Sequence, residues 1–185
     1  LIYTAQPLAT GSRLSLESGP STHLARALRM GPGDRLTVFN GDGGEYAAAI
    51  VSAERREVTI DVAEFSDQDC ESPLAIELGI AVSRGERMDW IVQKSTELGV
   101  TAIIPVLTER VEVKLNAERS AKRQHHWQQV AISACEQCGR NRLPRIAAIT
   151  SVAEWLPSAR SDLRLVLHHR AAPTGESTAQ TPSSV

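Results

Sequence analysis

The chain has 185 residues, 42% of them hydrophobic and 23% charged, which fits one medium domain or two small ones with a packed core. Its formal net charge of -2 excludes a global positive field toward nucleic acid, so any nucleic-acid site would have to be a local patch, and aromatics at 4% argue against a base-stacking platform. No stretch reaches the roughly 20 apolar residues of a membrane span, no signal segment opens the chain, and an odd number of cysteines, 3, points to a reducing cytoplasm rather than a disulfide framework.

The first third reads as β-rich. Residues 13–17 alternate polar and apolar, as a half-buried strand does. Pro20 then opens a short helical stretch over 23–30, with Leu24 and Leu28 on one face, and Gly31-Pro32-Gly33-Asp34 ends it. Residues 35–40 and 45–53 read as strands joined by the hairpin-type loop Gly41-Asp42-Gly43-Gly44, and 57–65 supplies another strand through Val58, Ile60 and Val62. Short strands with tight turns predict a small barrel.

An acidic linker over 66–72, containing Asp67, Asp69 and Glu71, separates this part from a different grammar. Residues 74–82 form a nearly continuous apolar run, the pattern of a strand buried on both faces. A helix is predicted over 87–98, with Met88, Ile91, Val92 and Leu98 on its stripe and Gly99 as the glycine beyond its end. A strand at 102–107 precedes a long helix over 117–138 with a stripe of Trp127, Val130, Ala131, Ala134 and Cys138. A strand at 145–149, a short helix near 153–156 and a strand at 163–167 follow, and the tail from Ala171 reads as a loop. Strand–helix alternation of this kind predicts an α/β layer with a mostly parallel sheet.

Candidate sites are weighed against simpler roles. Cys135 and Cys138 have redox or zinc spacing, but zinc needs four ligands and the other thiol, Cys70, is in the linker; core packing is the reading. The glycine loop at 41–44 precedes a strand rather than a helix, so it reads as a tight turn, not a phosphate cradle. Glu97 lies in the last turn of its helix, where the dipole disfavours an anion, and its partner Lys94 stands at i−3, the less helpful order. Basic residues cluster at Arg26, Arg29 and Arg35, at Arg119, Lys122 and Arg123, and at Arg140, Arg142 and Arg145, three patches suited to phosphate contact.

Several of these stretches resemble one family. His23-Leu-Ala-Arg-Ala-Leu-Arg-Met-Gly-Pro-Gly-Asp34 and Phe39-Asn-Gly-Asp-Gly-Gly-Glu-Tyr46 are similar to the opening of the RsmE family, which methylates N3 of a uridine in small-subunit (16S) ribosomal RNA. The resemblance continues through Arg87-Met-Asp-Trp-Ile-Val-Gln-Lys-Ser-Thr-Glu-Leu-Gly99, Ile104-Pro-Val-Leu-Thr-Glu-Arg110, Trp127 and Cys135-Glu-Gln-Cys-Gly-Arg-Asn-Arg-Leu-Pro144. It implies an α/β protein with a PUA-like β-barrel for RNA over residues 1–69, followed by a SPOUT methyltransferase domain over 70–185. It further implies S-adenosylmethionine held in a trefoil knot, a homodimer, a cytoplasmic location, ribosomal RNA or the small subunit as partner, and no metal.

By the same resemblance Arg26 and Arg29 would contact RNA, and Lys94, Glu97, Glu136, Gln137 and Arg140 would line the substrate side of the cleft. Leu167 and His168, at the end of a strand, would begin the cofactor pocket, where α/β ligands sit. Arg140 is the candidate for stabilising a deprotonated uridine, and Glu97 or Glu136 for accepting its proton. The family's Gly-Pro-Glu-Gly-Gly knot loop and a later Leu-Gly loop do not occur in these residues, so the knot region is expected to be missing and the chain by itself inactive. The alternatives are a non-catalytic RNA-binding module or another SPOUT RNA methyltransferase; a nucleotide-dependent α/β enzyme lacks a Gly-x-Gly-x-x-Gly or Walker pattern.

Overall fold

A computed structural model describes residues 1–54, 56–109 and 116–167. Two sheets organise them. The first contains β1 (Ile2–Tyr3), β2 (Arg13–Ser15), β3 (Arg35–Phe39), β4 (Glu45–Ala53) and β5 (Val58–Ser66), in the order β1-β3-β4-β5-β2. Period-two alternation turns Val58, Ile60 and Val62 of β5 to one side, where they meet Ala48 and Ile50 of β4, Val38 of β3 and Ile2 of β1. Leu16 and Leu24 close this core from the β2–β3 connection. Register shifts at Ala47/Ala48 and Ile50/Ser52 bend β4 and curl the sheet. β1 and β2 occupy opposite edges and do not pair with each other, so the expected barrel is a curled sheet among the described residues.

The connection from β2 to β3 departs from the expected helix over 23–30. It consists of α1 (Ser18–Thr22) running into a π-helical turn, His23–Ala27. Leu24 is fully buried, whereas Leu28, expected beside it, is 49% exposed. Five-residue spacing, seen in the Leu28 N–H bond to the His23 carbonyl, rotates Leu28 off the buried face.

The second sheet is parallel. β7 (Ala102–Leu107) is central, with β6 (Glu77–Ala81) along one edge and β8 (Arg145–Ile146) and β9 (Thr150–Ser151) sharing the other. On one face α2 (Glu86–Glu97) and α3 (Ala117–Cys138) pack through Met88, Val92, Trp127 and Ala131 onto Val82, Ile103 and Ile146. On the other, Ala102, Ile104 and Val106 lie under Ala147 and Trp155. Trp155 comes from α4 (Val152–Trp155), which starts with a reciprocal Ser151–Glu154 capping box. Its ring lies so close to β6 that a Cβ on Gly79 would stand 2.1 Å from it.

Several expectations are corrected. The run at 74–82 orders as a strand only over Glu77–Ala81, and Leu74 and Ile76 are 62% and 39% exposed, because β6 is an edge strand among the described residues. Leu98 is 81% exposed rather than part of the α2 stripe, since it caps the helix and turns away. On α3 the buried thiol is Cys135, not Cys138, which is exposed. The strand expected at 145–149 is only Arg145–Ile146, with β9 added beyond it. Residues 163–167 form no strand: Leu163, Leu165, Val166 and Leu167 are each at least 71% exposed and pair with nothing in either sheet. The tail from Ala171 lies outside the described residues.

Candidate functional site

The stretch that leaves α3 joins the two sheets. The helix starts with Asn116, whose side chain accepts from the Arg119 N–H at 2.8 Å, and ends at Gly139 in the left-handed region (φ 83°). That glycine lets the chain reverse sharply, so the next residues point back at the first domain. Glu136 Oε1 accepts the Tyr3 backbone N–H at 3.0 Å. Asn141 Nδ2 donates to the Gln68 carbonyl at 2.6 Å, and Arg142 Nη1 to the Asp42 carbonyl at 2.7 Å. The Leu143 N–H donates to the Gly41 carbonyl at 3.2 Å.

The loop at 41–44 is the turn expected, with an added reason for its glycines. Gly43 has φ 104°, and a Cβ there would stand 2.5 Å from the Arg142 guanidinium carbon. Gly41, at φ 90°, would place a Cβ 2.9 Å from the Leu143 side chain. The loop is small because the end of α3 lies against it.

Arg140 is the largest correction at the site. Expected as an exposed arginine facing substrate, it is 6% exposed and points inward. Its Nε and Nη2 fork onto the two carboxylate oxygens of Glu71, at 2.8 and 2.5 Å, and its Nη1 donates to the Thr96 and Val100 carbonyls at 2.6 and 3.2 Å. Burial opposes its charge, but the hydrogen bonds and charge of Glu71 outweigh this and raise its pKa further. Arg140 thereby neutralises a linker carboxylate and satisfies carbonyls at the end of α2, where the dipole favours a cation.

The remaining candidates do not converge on one point. Lys94 Nζ bonds both oxygens of Glu97, at 3.0 and 2.7 Å, so the misplaced helix-end carboxylate is held by its own neighbour. Gln137 faces a hollow of about 340 Å³ between α2 and α3, together with Gln93, His126 and Ser133. Glu136 faces a groove of about 600 Å³ between the first domain and α3. One wall of that groove carries Tyr3, Glu17 and His23, the other His125, Ser133 and Glu136. Reading along the sequence missed this groove, since its two walls come from segments more than a hundred positions apart, as the Tyr3–Glu136 bond shows with a separation of 133.

The three basic clusters separate clearly. At the end of α3, Arg140 pairs with Glu71, Arg142 stands 3.6 Å from Asp69, and Arg145 stands 3.3 Å from Glu77. That cluster is engaged within the protein. Arg26, Arg29 and Arg35 are exposed and form no ion pair among the described residues, and the same holds for Arg119 and Lys122. Arg29 also has a left-handed backbone, φ 55°, unusual for a side chain with a Cβ. It sits where the π-turn closes with the Met30 N–H on the Leu24 carbonyl, one residue wider than a usual helix stop.

Cys135 is a core thiol, as expected, and burial above all raises its pKa to about 12, with Arg140 acting in the opposite direction. Among the described residues no group of three or more His, Cys, Asp or Glu side chains could hold a metal ion. No helix among them is long and apolar enough to cross a membrane. Of the residues expected to begin a cofactor pocket, Leu167 is 98% exposed and outside any strand, and His168 lies outside the described residues.

Comparison with known proteins places this architecture. A family described as the RNA methyltransferase domain matches residues 70–184, and one described as the RNA methyltransferase PUA domain matches residues 21–63. Ribosomal RNA small subunit methyltransferase E of Bacillus subtilis (strain 168) is 28% identical over 174 residues, covering 94% of this chain and 68% of the relative. The protein of the same name from Buchnera aphidicola subsp. Schizaphis graminum is 31% identical over 83% of this chain and 63% of its own length. Among solved structures, a putative methyltransferase from Legionella pneumophila in complex with the cofactor SAM superposes with a TM-score of 0.86 at 40% identity, covering 91% of this chain and 70% of that one. A ribosomal RNA small subunit methyltransferase E from Neisseria gonorrhoeae bound to S-adenosyl methionine gives 0.82 at 40% identity, covering 86% and 65%. The chain thus spans about two thirds of the length of these relatives. A curled sheet with PUA-domain similarity, locked to a parallel α/β layer that matches over most of its length, establishes that the chain belongs to the RNA methyltransferase domain family.

Proposed function

We propose that the protein to which this chain belongs transfers a methyl group from S-adenosylmethionine to N3 of a uridine in small-subunit ribosomal RNA, working in the cytoplasm as a SPOUT-class homodimer. The observation that carries the reading is the presence, in one chain, of matches to an RNA methyltransferase PUA domain and to an RNA methyltransferase domain. The relatives from Legionella and Neisseria, 40% identical, are bound to S-adenosylmethionine, which supports the same methyl donor here. S-adenosylmethionine supplies the methyl as an electrophilic carbon on a sulfonium. Leu167 and His168 stand as the proposed start of its pocket.

What the chain's own residues offer is RNA contact and a proton acceptor. Arg26 and Arg29 project into solvent with no carboxylate partner among the described residues and suit backbone phosphates. N3 of uridine carries a proton between two carbonyls, and it must leave as the new N–C bond forms. Glu136 is the proposed acceptor: one oxygen is anchored by the Tyr3 N–H while the carboxylate borders the interdomain groove. Glu97 is the second choice, since Lys94 engages both of its oxygens. Lys94 and Gln137 are proposed as substrate contacts. Arg140 is given no role as an anion donor, because its guanidinium is bonded inside the protein.

Incubating the full gene product with methyl-labelled S-adenosylmethionine and either small-subunit RNA or assembled subunits tests this reading. Label retained in RNA is the expected result. Label transferred to protein or small molecules only would overturn the reading.

A further inference from the structure

We infer that Arg142 is a positioning residue: it latches the PUA domain to the methyltransferase domain and so sets the geometry at which bound RNA meets the cleft. This rests on the proposed function for its consequence but not for its structure. The linker over 66–72 is held from α3's exit at successive points: Gln68 by Asn141, Asp69 by Arg142 and Glu71 by Arg140. Arg140 and Asn141 are almost fully buried and belong to the interior. Arg142 differs. Its side chain is 51% exposed, yet it reaches a carbonyl 100 positions away in the glycine loop of the first domain.

Both contacts use the shape of an arginine. Nη1 donates to the Asp42 carbonyl at 2.7 Å while Nε faces Asp69 at 3.6 Å, so one planar group spans the first domain and the linker. Gly43 leaves room for it, since a Cβ at that position would stand 2.5 to 2.9 Å from Arg142 guanidinium atoms. The groove of about 600 Å³ between Tyr3 and Glu136 has one wall on each domain, so its width follows the angle that this latch holds. An RNA held at both Arg26 and the cleft binds as a two-point ligand, and a loose hinge lowers the effective concentration of the second contact.

The test uses the full gene product with Arg142→Ala and Arg142→Lys. A Glu/Asp-specific protease reports the latch through Asp67, Asp69 and Glu71 in the linker. Wild type should be cut slowly, the alanine variant at least about 10-fold faster, and the lysine variant in between, with melting temperatures within a few degrees because half of the side chain is already in solvent. KM for a long ribosomal RNA fragment should rise about 3- to 10-fold in the alanine variant, with kcat unchanged and KM for a short oligonucleotide that reaches only the cleft unchanged. Linker cleavage at the wild-type rate overturns the latch. Faster cleavage with an unchanged KM for long RNA overturns the positioning role, and so does an equal KM rise on long and short RNA. If the unmodified protein transfers no methyl group, the function proposed above fails, and RNA affinity measured by filter binding takes the place of KM in the same comparison.

Discussion

Removing Arg140 should unfold the protein more readily than its position after a helix suggests. Its side chain is 7% exposed and that of Glu71 12%, and the pair is forked. Truncating one partner leaves the other charge desolvated, which costs about 3–5 kcal/mol, and strips a donor from the Thr96 and Val100 carbonyls. For a chain of this size about 1 kcal/mol moves the midpoint by about 2–4 °C, so Arg140→Ala should lower it by roughly 6–20 °C. Arg140→Lys keeps the charge but loses the fork and should cost about 1–3 kcal/mol. Replacing both partners, Arg140→Met with Glu71→Leu, should cost about 1–3 kcal/mol, well short of the summed single losses, since no charge is stranded. Urea unfolding of six proteins measures this directly: the wild type, Arg140→Ala, Arg140→Lys, the singles Arg140→Met and Glu71→Leu, and their double. A loss under about 1 kcal/mol in Arg140→Ala, or additivity within about 0.5 kcal/mol across the cycle of Arg140→Met and Glu71→Leu, would show that the buried pair is not coupled.

Arg26→Ala with Arg29→Ala should flatten the salt dependence of RNA binding by roughly one to two units of log–log slope, at about 0.9 per phosphate on a duplex and less on single strands; an unchanged slope removes both from the interface. Arg29→Gly relieves the left-handed strain at φ 55° and should raise stability by up to about 1 kcal/mol while weakening RNA binding, and a stability loss would show that the side chain is structural. At pH 8 a thiol reagent should titrate Cys70 and Cys138 rapidly and Cys135 only on unfolding. Because the Cys135 pKa is raised to about 12 from an ordinary thiol value near 9, its protonated form stabilises the fold fully below pH 9 and that contribution fades as pH rises toward 12. Rapid reaction of three thiols, or a stability that rises over that window, would contradict its burial.

Much of the architecture is legible because it is local. Alternation of Val58, Ile60 and Val62 sets β5, and the spacing of Met88 and Val92 with Trp127 and Ala131 sets the helix faces beneath the sheet. Misread positions lie where a pattern ends. Leu28, Leu98 and Cys138 sit at helix termini, where widened turns and caps rotate the side chain off the stripe. The run at 163–167 has the composition of a buried strand, but a strand needs a partner as well as a pattern, and none of the described strands pairs with it. The candidate site was legible as a motif and not as a geometry. Cys135 to Pro144 stood out as a block, yet nothing local says that Arg140 turns inward to Glu71 or that Arg142 meets Asp42, contacts that bridge 69 and 100 positions.

The most direct measurement is the chemical identity of the product. Small-subunit RNA treated with the full gene product and S-adenosylmethionine is digested to nucleosides and resolved by mass spectrometry, and the intact RNA is read by reverse transcriptase. A methyl group on N3 occupies the Watson–Crick edge, so one new N3-methyluridine and one strong reverse-transcription stop are expected. A methyl found on ribose, on another base, with or without a stop, or on uridine C5 would contradict that.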